Sequence, residues 1–419
     1  MQETTRYGVG IDVGTTHVRC VIGHLDGTAS GATIVGVGMA PNTGMRKGMV
    51  VNIVNTAHAI DRAFEEAERM SGNEVHAATV SINGAHIMAM SSKGVVAVNS
   101  QSHEISEDDI ARVGEAATVV QLPANREILQ VTPRSYTLDD QTNIKDPIGM
   151  NGIRLEVDAH VITALSPNIK NLLKSLEMTQ TRVNHVMVAG LAAAKAVVTT
   201  QQMENGVAVI DFGGTTTQLV VFEEGDLQHV AVLPVGSVNI TNDLAIGLRT
   251  DLDVAEEIKI NHVTAALKAG KEKAKTIEYK HGSETLSFSA KDVAMIVDAR
   301  LEEIFEQIDK ELKGIGRSGK LPGGIVLTGG GANLAHIAEL AKEKLRLPAR
   351  VARISGVSGM NDKVTKPDFA TALGLMLTDF ETSRAHHKTT NVAGAFENGT
   401  QMFGKLFNSA GDFFKRFRP

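Results

Sequence analysis

Two kinds of apolar pattern follow each other at the start of the chain. An apolar run at residues 6–23 is divided by a polar, glycine-containing turn at 12–16, and another run follows at 33–37, so the sequence predicts three successive strands. At 54–70 the apolar residues recur at helical spacing instead, which predicts a helix. The chain therefore opens as a mixed α/β domain.

The same strand order recurs in the middle of the chain, at residues 206–233. Both copies carry an Ile-Asp pair before the turn, at 11–12 and at 210–211. A repeat of one whole strand–turn–strand unit at this distance does not have the short period of a solenoid. We interpret it as two similar domains that face each other.

The segment between the two copies has an organisation of its own. Residues 84–162 contain several turns and strands, together with a helix that Ser106 and Asp109 begin as a capping box. We interpret this segment as an inserted α+β subdomain.

Helix signals also follow the second copy. Asp253 and Glu256 are spaced as a capping box, and Ser289 begins a long amphipathic helix. A helix from about Asn333 and a short helix at 368–378 complete the predicted body.

Composition narrows the class of protein. Hydrophobic residues make up 42% of the 419-residue chain and charged residues 21%, which is ordinary for a folded protein. The formal net charge of −6 excludes a basic field over the whole body, so we expect no nucleic-acid partner. With Cys20 as the one cysteine, a disulfide framework and a cysteine-rich zinc site are excluded, and we expect a reducing, cytoplasmic setting. No apolar run reaches the roughly 18 residues that span a bilayer, and the first residues lack a signal-peptide layout.

Three glycine-containing loops carry the candidate chemistry, at residues 12–16, 211–217 and 325–332. Small residues let backbone amides approach a phosphate, and threonine hydroxyls add donors. Asp12 and Asp211 would repel a phosphate, unless Mg²⁺ or its waters lie between them and the phosphates. Each loop alone could be an ordinary turn with Asp and Gly. The three loops in this order favour a nucleotide site.

The ordered loops resemble those of the actin-like ATPase superfamily. The resemblance implies an α/β, actin-like (ribonuclease H-like) two-lobe ATPase fold with an inserted α+β subdomain in the first lobe, and ATP with Mg²⁺ in the cleft. Asp12 and Asp211 would then be the catalytic carboxylates and would hold Mg²⁺ through water. The nucleotide-binding residues that the resemblance implies are Gly14, Thr15, Thr16, Arg19, Gly213, Gly214, Thr215, Thr216, Gly236, Glu256, Lys259, Gly329, Gly330, Gly331 and Ala332.

The chain departs from relatives in this superfamily at two points. Arg19 stands where actin has a phosphate-contacting lysine, and arginine supplies the charge with a different geometry. Residues 189–192 read AGLA where chaperone ATPases have Glu-Pro, so no glutamate is placed to orient a water. We expect ATP binding with slow hydrolysis at most.

The last residues have a separate pattern. Residues 381–400 are polar and lack periodicity, which predicts a flexible linker, and 401–419 form an amphipathic, basic helix pattern. A helix of this kind lies in the interface of an anionic membrane. Docking on the protein's own core or on another protein remain alternatives. The predicted membrane residues are Phe403, Leu406, Phe407, Phe413, Phe414, Lys415, Arg416 and Phe417.

Within the superfamily, the chain resembles the FtsA family of bacterial cell-division proteins, with similar stretches at 149–154, 189–192 and 324–330. The resemblance implies a protein that polymerises into actin-like filaments on the cytoplasmic face of the cell membrane at the division site. It would tether FtsZ there by binding the C-terminal peptide of FtsZ, with Arg300 as a contact.

The resemblance also implies domain boundaries. They are 1–83, 163–193 and 353–380 for the first lobe core, 84–162 for the inserted subdomain, 194–235 and 310–352 for the second lobe core, 236–309 for a peripheral subdomain with the FtsZ-peptide site, 381–400 for the linker and 401–419 for the membrane helix.

Two other functions stay open on the sequence alone. A small-molecule kinase of the same fold would need a catalytic aspartate in the inserted region, where Asp139, Asp140, Asp146 and Asp158 are available. An actin-like scaffold of another membrane machine, such as a pilus-assembly platform, would share the nucleotide site.

Overall fold

The chain opens with the three predicted strands and the predicted helix. The computed structural model describes residues 6–25, 31–98, 103–120, 122–265, 276–281, 284–354, 356–359 and 363–389. The first elements are β1 (Arg6–Val13), β2 (His17–Leu25), β3 (Ala32–Pro41), β4 (Met45–Arg46), β5 (Met49–Val50), α1 (Ile53–Ser71) and β6 (Ala77–Ile82). Asn52 caps α1 by accepting a hydrogen bond from the Asn55 amide over 3.0 Å, which satisfies one free N–H of the first turn.

The next elements form a separate four-stranded sheet covered by one helix. They are β7 (Met88–Ala97), α2 (Glu107–Thr118), β8 (Arg126–Leu138), β9 (Gln141–Ile144) and β10 (Arg154–Leu165). The sheet order is β7-β10-β8-β9. The capping box predicted at the start of α2 is present, because the Ser106 hydroxyl accepts from the Asp109 amide while Asp109 accepts from the Ser106 amide. Val113 and Ala117 of α2 are fully buried in the core of this subdomain.

The chain then returns to the first sheet and crosses to the second. This part contains α3 (Ser166–Glu177), β11 (Arg182–Val188), α4 (Ala189–Val197), α5 (Thr200–Asn205), β12 (Val207–Phe212), β13 (Thr217–Glu223) and β14 (Asp226–Leu233). The remaining elements are α6 (Ser237–Leu248), α7 (Leu252–His262), β15 (Thr276–His281), β16 (Glu284–Ser289), α8 (Ala290–Gly314), β17 (Gly324–Thr328), α9 (Ile337–Leu345), β18 (Ala349–Val351), β19 (Val357–Ser358) and α10 (Ala370–Thr389).

Two sheets share one topology, which confirms the internal repeat. One sheet has the order β11-β6-β1-β2-β3-β19 and the other has β14-β13-β12-β17-β18. In each, three consecutive strands pair antiparallel, and the first of the three pairs parallel with a later strand: β1 with β6, and β12 with β17. The two loops predicted to bind phosphate therefore leave equivalent strands at equivalent ends.

Two predicted helix starts are wrong. Helix α7 follows Asp251, which makes no side-chain capping bond, and the spacing of Asp253 and Glu256 does not form a capping box. Glu256 bonds instead to Lys259 on its own helix and to Thr241 on α6, so its carboxylate does not cap α7. The helix expected from about Asn333 begins at Ile337, because the glycines before it form a separate 3-10 turn at Gly330–Asn333.

Helix α10 is longer than predicted and overlaps the predicted linker. The short helix expected at 368–378 begins at Ala370 and continues to Thr389, so residues 381–389 are helical. No glycine or proline interrupts them, and the polar pattern alone does not end a helix. Asp379 anchors α10 to the first sheet by accepting from the Val9 amide, Thr79 Oγ1 and Asn184 Nδ2 at 2.7–3.0 Å. None of the helices in the described part of the chain is long and apolar enough to cross a membrane.

Helix α10 runs along the first sheet from one end of the first lobe toward the other. A Cβ at Gly10 would lie 2.1 Å from the Ala372 carbonyl, and one at Gly8 would lie 2.9 Å from the Phe380 ring, so α10 packs tightly and antiparallel to β1. Since β1 ends at the glycine loop, α10 carries the chain from that loop to the opposite end of the sheet.

The inserted subdomain contacts the second lobe as well as the first. Arg134 on β8 donates to Gln228 on β14 over 2.6 Å, and Lys145 pairs with Asp226 at the start of the same strand. Strand β14 is an edge of its sheet, so these contacts cover an edge.

Candidate nucleotide-binding site

Asp12 and Asp211 occupy equivalent positions near the ends of β1 and β12. Asp12 accepts a hydrogen bond from the Ser81 hydroxyl over 2.7 Å. Burial raises the pKa of Asp12 and outweighs the nearby Arg19 charge. Burial and then the charge of Asp12 raise the pKa of Asp211 to about 7. The two carboxylates therefore influence each other between the lobes, and burial outweighs the charge of Arg19 at both.

The two first loops have the same internal geometry. The Gly14 amide donates to the His17 carbonyl over 3.1 Å, and the Gly213 amide donates to the Thr216 carbonyl over 3.0 Å. These two amides close their own turns. They are therefore not the free donors to phosphate that the sequence suggested, and the neighbouring threonines are better placed for that task.

The loops also contact each other across the cleft. The Thr215 hydroxyl donates to Thr15 Oγ1 over 2.9 Å, and Asn83 Nδ2 donates to Thr216 Oγ1 over 2.9 Å. A Cβ at Gly214 would lie 2.7 Å from Thr16 Cγ2. The site is therefore built jointly by both lobes.

Gly236 lies against the second loop, directly before α6. The Gly213 and Gly214 carbonyls accept from the Ser237 and Val238 amides at the start of α6, over 3.0 and 2.7 Å. A Cβ at Gly236 would lie 2.6–2.7 Å from those two carbonyl oxygens. Glycine is required here because the loop and the helix start approach so closely.

The third loop leaves β17 beside Asp211. Gly329 has φ +82°, and a Cβ there would lie 2.4 Å from Asp211 Oδ1. At Gly331 a Cβ would lie 2.4 Å from the Phe212 ring, whereas at Gly330 nothing lies within 4 Å. Gly330 thus leaves room for a ligand, while the Ala332 side chain is buried in the second-lobe core.

Glu256 and Lys259 form an ion pair on α7 with Nζ and Oε2 2.6 Å apart. Lys259 is 5% exposed, and its Nζ also donates to Thr241 Oγ1 over 2.9 Å and to the Ser237 carbonyl over 3.3 Å. Since an ammonium has three donors, all of them are used. Lys259 therefore positions Glu256 and α6, and Glu256 remains the more exposed of the two toward a ligand.

Arg19 faces the same space but pairs with a residue that the sequence did not indicate. Its Nη2 donates to Asp368 Oδ2 over 2.9 Å, and its guanidinium carbon lies 5.6 Å from the centre of the Phe369 ring. His17 is also near, since burial and then the Arg19 charge lower its pKa.

Sequence reasoning missed three residues of this site: Ser81, Asn83 and Asp368. Ser81 and Asn83 lie at and just beyond the end of β6, next to β1 in the sheet, so the rule that ligands bind at the carboxyl ends of parallel strands could have found them. No local signal marks Asp368, which is separated from Arg19 by 349 positions.

Helix α4 begins with the AGLA stretch at 189–192, which has no glutamate, and its backbone contacts a glutamine side chain instead. The Gly190 amide donates to Gln218 Oε1 over 2.8 Å. Gln218 lies opposite Asp211 in the strand register and is fully buried. An amide side chain thus occupies the space between α4 and the second loop.

Two groups of predicted residues lie elsewhere. Arg300 is on α8, away from the three loops, and it pairs through Nε and Nη2 with both carboxylate oxygens of Asp243 at 2.5 and 3.0 Å and through Nη1 with Glu303. The eight predicted membrane residues between 401 and 419 lie outside the described residues.

The residues present fit a nucleotide with Mg²⁺. The site contains the buried carboxylate of Asp211 and the partly buried carboxylate of Asp12, both with raised pKa values. The guanidinium of Arg19 faces them, and Gly330 leaves open space beside them, so the site suits the charges of a magnesium polyphosphate. No cluster of three or more histidine, cysteine, aspartate or glutamate side chains able to hold a metal occurs among the described residues. A metal here would therefore take part of its ligands from water and phosphate.

Comparisons with known proteins agree with this architecture. The family described as cell division protein FtsA matches residues 208–374, and the SHS2 domain inserted in FtsA matches 84–163. The chain is 36% identical to the cell division protein FtsA of Pseudomonas aeruginosa over 88% of each chain. It is 36% identical to that of Bacillus subtilis over 88% of this chain and 82% of that one, and 30% identical to that of Escherichia coli over 88% and 89%.

Solved structures with low sequence identity share the fold. The PilM-PilN type IV pilus biogenesis complex matches with a TM-score of 0.63 and 17% identity over 88% of this chain and 97% of that chain. MreB 5 of Spiroplasma citri bound to AMPPNP matches with a TM-score of 0.53 and 13% identity over 92% and 99%. The fold is thus the actin-like two-lobe fold with an inserted α+β subdomain.

Proposed function

The chain belongs to the FtsA family of cell-division proteins, and on that basis we propose that it binds ATP with Mg²⁺, polymerises on the cytoplasmic membrane and tethers FtsZ there. The nucleotide part of the proposal rests on one observation. Asp12 and Asp211, at equivalent ends of equivalent strands, face one space with raised pKa values. Two such carboxylates are stabilised by a divalent cation.

When bound with ATP, Mg²⁺ would supply the positive charge that the two aspartates need. Asp12 and Asp211 would hold the cation through its waters, and Thr15, Thr16, Thr215 and Thr216 would present hydroxyls from both loops. The Thr15–Thr215 hydrogen bond already joins the lobes. Phosphates that bind to both loops would add further contacts between the lobes and hold the cleft closed.

Slow hydrolysis at most is expected from the same contacts. Gln218 lies on β13, contacts α4 and can orient a water, but it cannot accept a proton at neutral pH. Asp12 and Asp211 would be occupied with the cation. ATP would therefore act chiefly as a structural ligand that closes the lobes.

The FtsZ peptide site lies on α6 and α8 in this proposal. Asp243 and Arg300 join the two helices, and Ile246, which is 77% exposed, lies one turn from Asp243. Next to it, a Cβ at Gly247 would lie 2.5 Å from Ile296 Cδ1, so the two helices nearly touch. An apolar side chain beside a guanidinium suits a short peptide with apolar and acidic residues.

Membrane attachment is assigned to residues 401–419. Helix α10 delivers the chain to the end of the first sheet opposite the nucleotide site, so a membrane there would not block the cleft. The linker proposed now is 390–400, since 381–389 are helical. One tail binds modestly, and a filament multiplies the affinity through avidity.

The alternatives receive less support. Of the four aspartates available to a kinase, Asp139 accepts from the Ile153 and Arg154 amides on the inserted subdomain, which uses its carboxylate for the turn. Likeness to the pilus complex is likeness of fold at 17% identity.

The experiment that tests the attachment is co-sedimentation of the full chain and of residues 1–400 with anionic liposomes. We expect the full chain to sediment and the shortened chain to stay in solution while both bind ATP. Sedimentation of both chains would contradict the assignment of the tail.

A further inference from the structure

Arg19 and Asp368 form an incomplete ion pair beside the candidate nucleotide site. One hydrogen bond of 2.9 Å joins Nη2 and Oδ2, and both side chains are 13% exposed. Arg19 Nε and Asp368 Oδ1 are also buried, and neither has a hydrogen-bond partner among the described residues. Since a guanidinium and a carboxylate can pair through two parallel bonds, half of the available pairing is unused.

The guanidinium also faces the nucleotide cleft. Arg19 lies opposite Asp12 in the register of β1 and β2. Burial raises the pKa values of Asp12 and Asp211, and the charge of Arg19 offsets part of that rise. Arg19 can therefore reach toward the space where phosphates would lie, while Asp368 holds it from the other side.

Asp368 belongs to a turn that both lobes hold. The Pro367 carbonyl accepts from Thr328 Oγ1 over 2.7 Å and from the Gly329 amide over 3.1 Å, both in the second lobe. The carboxylate of Asp368 is held by Arg19 in the first lobe. The turn ends at Phe369, and α10 begins at the next residue.

We propose that Asp368 is an internal substitute for phosphate: Arg19 pairs with Asp368 and exchanges it for a phosphate when a nucleotide binds. The inference rests on the proposed ATP site. A phosphate offers more acceptor oxygens and more charge than a carboxylate, so it satisfies the unpaired Nε as well. Nucleotide binding then breaks the Arg19–Asp368 ion pair. Asp368 therefore lowers the affinity for ligands that carry phosphate.

The test measures equilibrium binding of fluorescently labelled ATP and of unlabelled ADP and adenosine to the full chain with Mg²⁺. We expect Asp368→Asn to bind ATP about tenfold more tightly, the scale of one charge-assisted hydrogen bond, with adenosine unchanged. Asp108→Asn, an exposed aspartate on α2 of the inserted subdomain, is the matched control and leaves all affinities unchanged. Adenosine binding also reports that each variant is folded.

A double-variant cycle separates exchange from simple repulsion between Asp368 and phosphate. We expect Arg19→Met to weaken ATP binding, and Asp368→Asn to give no further gain in the Arg19→Met background, because the competition requires the guanidinium. A gain that persists there, or no gain in the single variant, overturns the exchange alone. A wild-type chain that binds neither ATP nor ADP overturns the proposed function and this inference together.

Discussion

Thr215 donates a hydrogen bond of 2.9 Å to Thr15, and the two residues occupy equivalent loops of the internal repeat, 200 positions apart in the chain. The contact joins the lobes at the point where phosphates are proposed to bind. Relative movement of the lobes must therefore break or remake contacts between these two loops. Several measurable consequences depend on this arrangement.

Gly214→Val should open the loops and weaken ATP binding. A Cβ there would lie 2.7 Å from Thr16 Cγ2, and a branched side chain would need still more space, so the loops must separate. We expect a loss of about tenfold or more in ATP affinity, since small misplacements of binding groups are costly. Isothermal titration measures it, and Gly314→Val, at a glycine with nothing within 4 Å and no positive φ, is a control for glycine replacement. Equal ATP affinity in the Gly214 variant and the wild type would contradict the close approach.

The contribution of Asp211 to stability without Mg²⁺ should fall as pH rises. The folded-state pKa of Asp211 is about 7 and its ordinary value is 3.8, so the folded protein holds the proton more tightly than the unfolded chain. Its contribution is fully favourable below pH 3.8 and is lost as pH rises through about 7. Asp211→Asn should therefore be more stable than wild type at pH 8, by up to about 4 kcal/mol.

Thermal unfolding between pH 5 and pH 8, with and without Mg²⁺, measures this effect. Added Mg²⁺ should stabilise the wild type at pH 8 and have less effect on Asp211→Asn. A stability difference between wild type and Asp211→Asn that stays the same from pH 5 to pH 8 without Mg²⁺ would argue against the raised pKa of Asp211.

Lys259→Met should lower both stability and nucleotide affinity. The substitution keeps much of the buried apolar stem, but it removes three hydrogen bonds and leaves Glu256 without its cation. Because Glu256 is partly exposed, we expect a loss of about 1–2 kcal/mol in the free energy of unfolding. Urea denaturation measures it. Lys342→Met, a lysine near the middle of α9, is the control, and an equal effect of the two substitutions would contradict a positioning role for Lys259.

Exchanging Arg300 and Asp243 should separate stability from FtsZ binding. Arg300→Asp alone brings two carboxylates together, whereas Arg300→Asp with Asp243→Arg restores an ion pair between α6 and α8. We expect the double variant to regain most of the stability but not the affinity for the FtsZ C-terminal peptide, measured by fluorescence anisotropy. Full peptide binding by the double variant would mean that Arg300 supports the helices and does not contact the peptide.

The sequence predicted most of the architecture because its signals are local and repeated. The Ile-Asp pairs at 11–12 and 210–211 identified two equivalent strands, and the Ser106 capping box is present as expected. The interpretation was wrong where distant residues compete with local ones. Glu256 pairs with Lys259 and Thr241 instead of capping α7.

Contacts between distant segments could not be predicted in this way. Asp368 has no motif around it, and only folding places it beside Arg19. The length of α10 was underestimated because polar residues end the apolar pattern without ending the helix.

The most direct test of the proposal is recruitment of purified FtsZ to anionic liposomes by the full chain with Mg²⁺ and ATP. We predict that FtsZ sediments with the liposomes when this protein is present and the FtsZ C-terminal peptide is intact. FtsZ without that peptide should stay in solution while this protein still sediments. FtsZ that stays in solution although this protein sediments would contradict the tethering function.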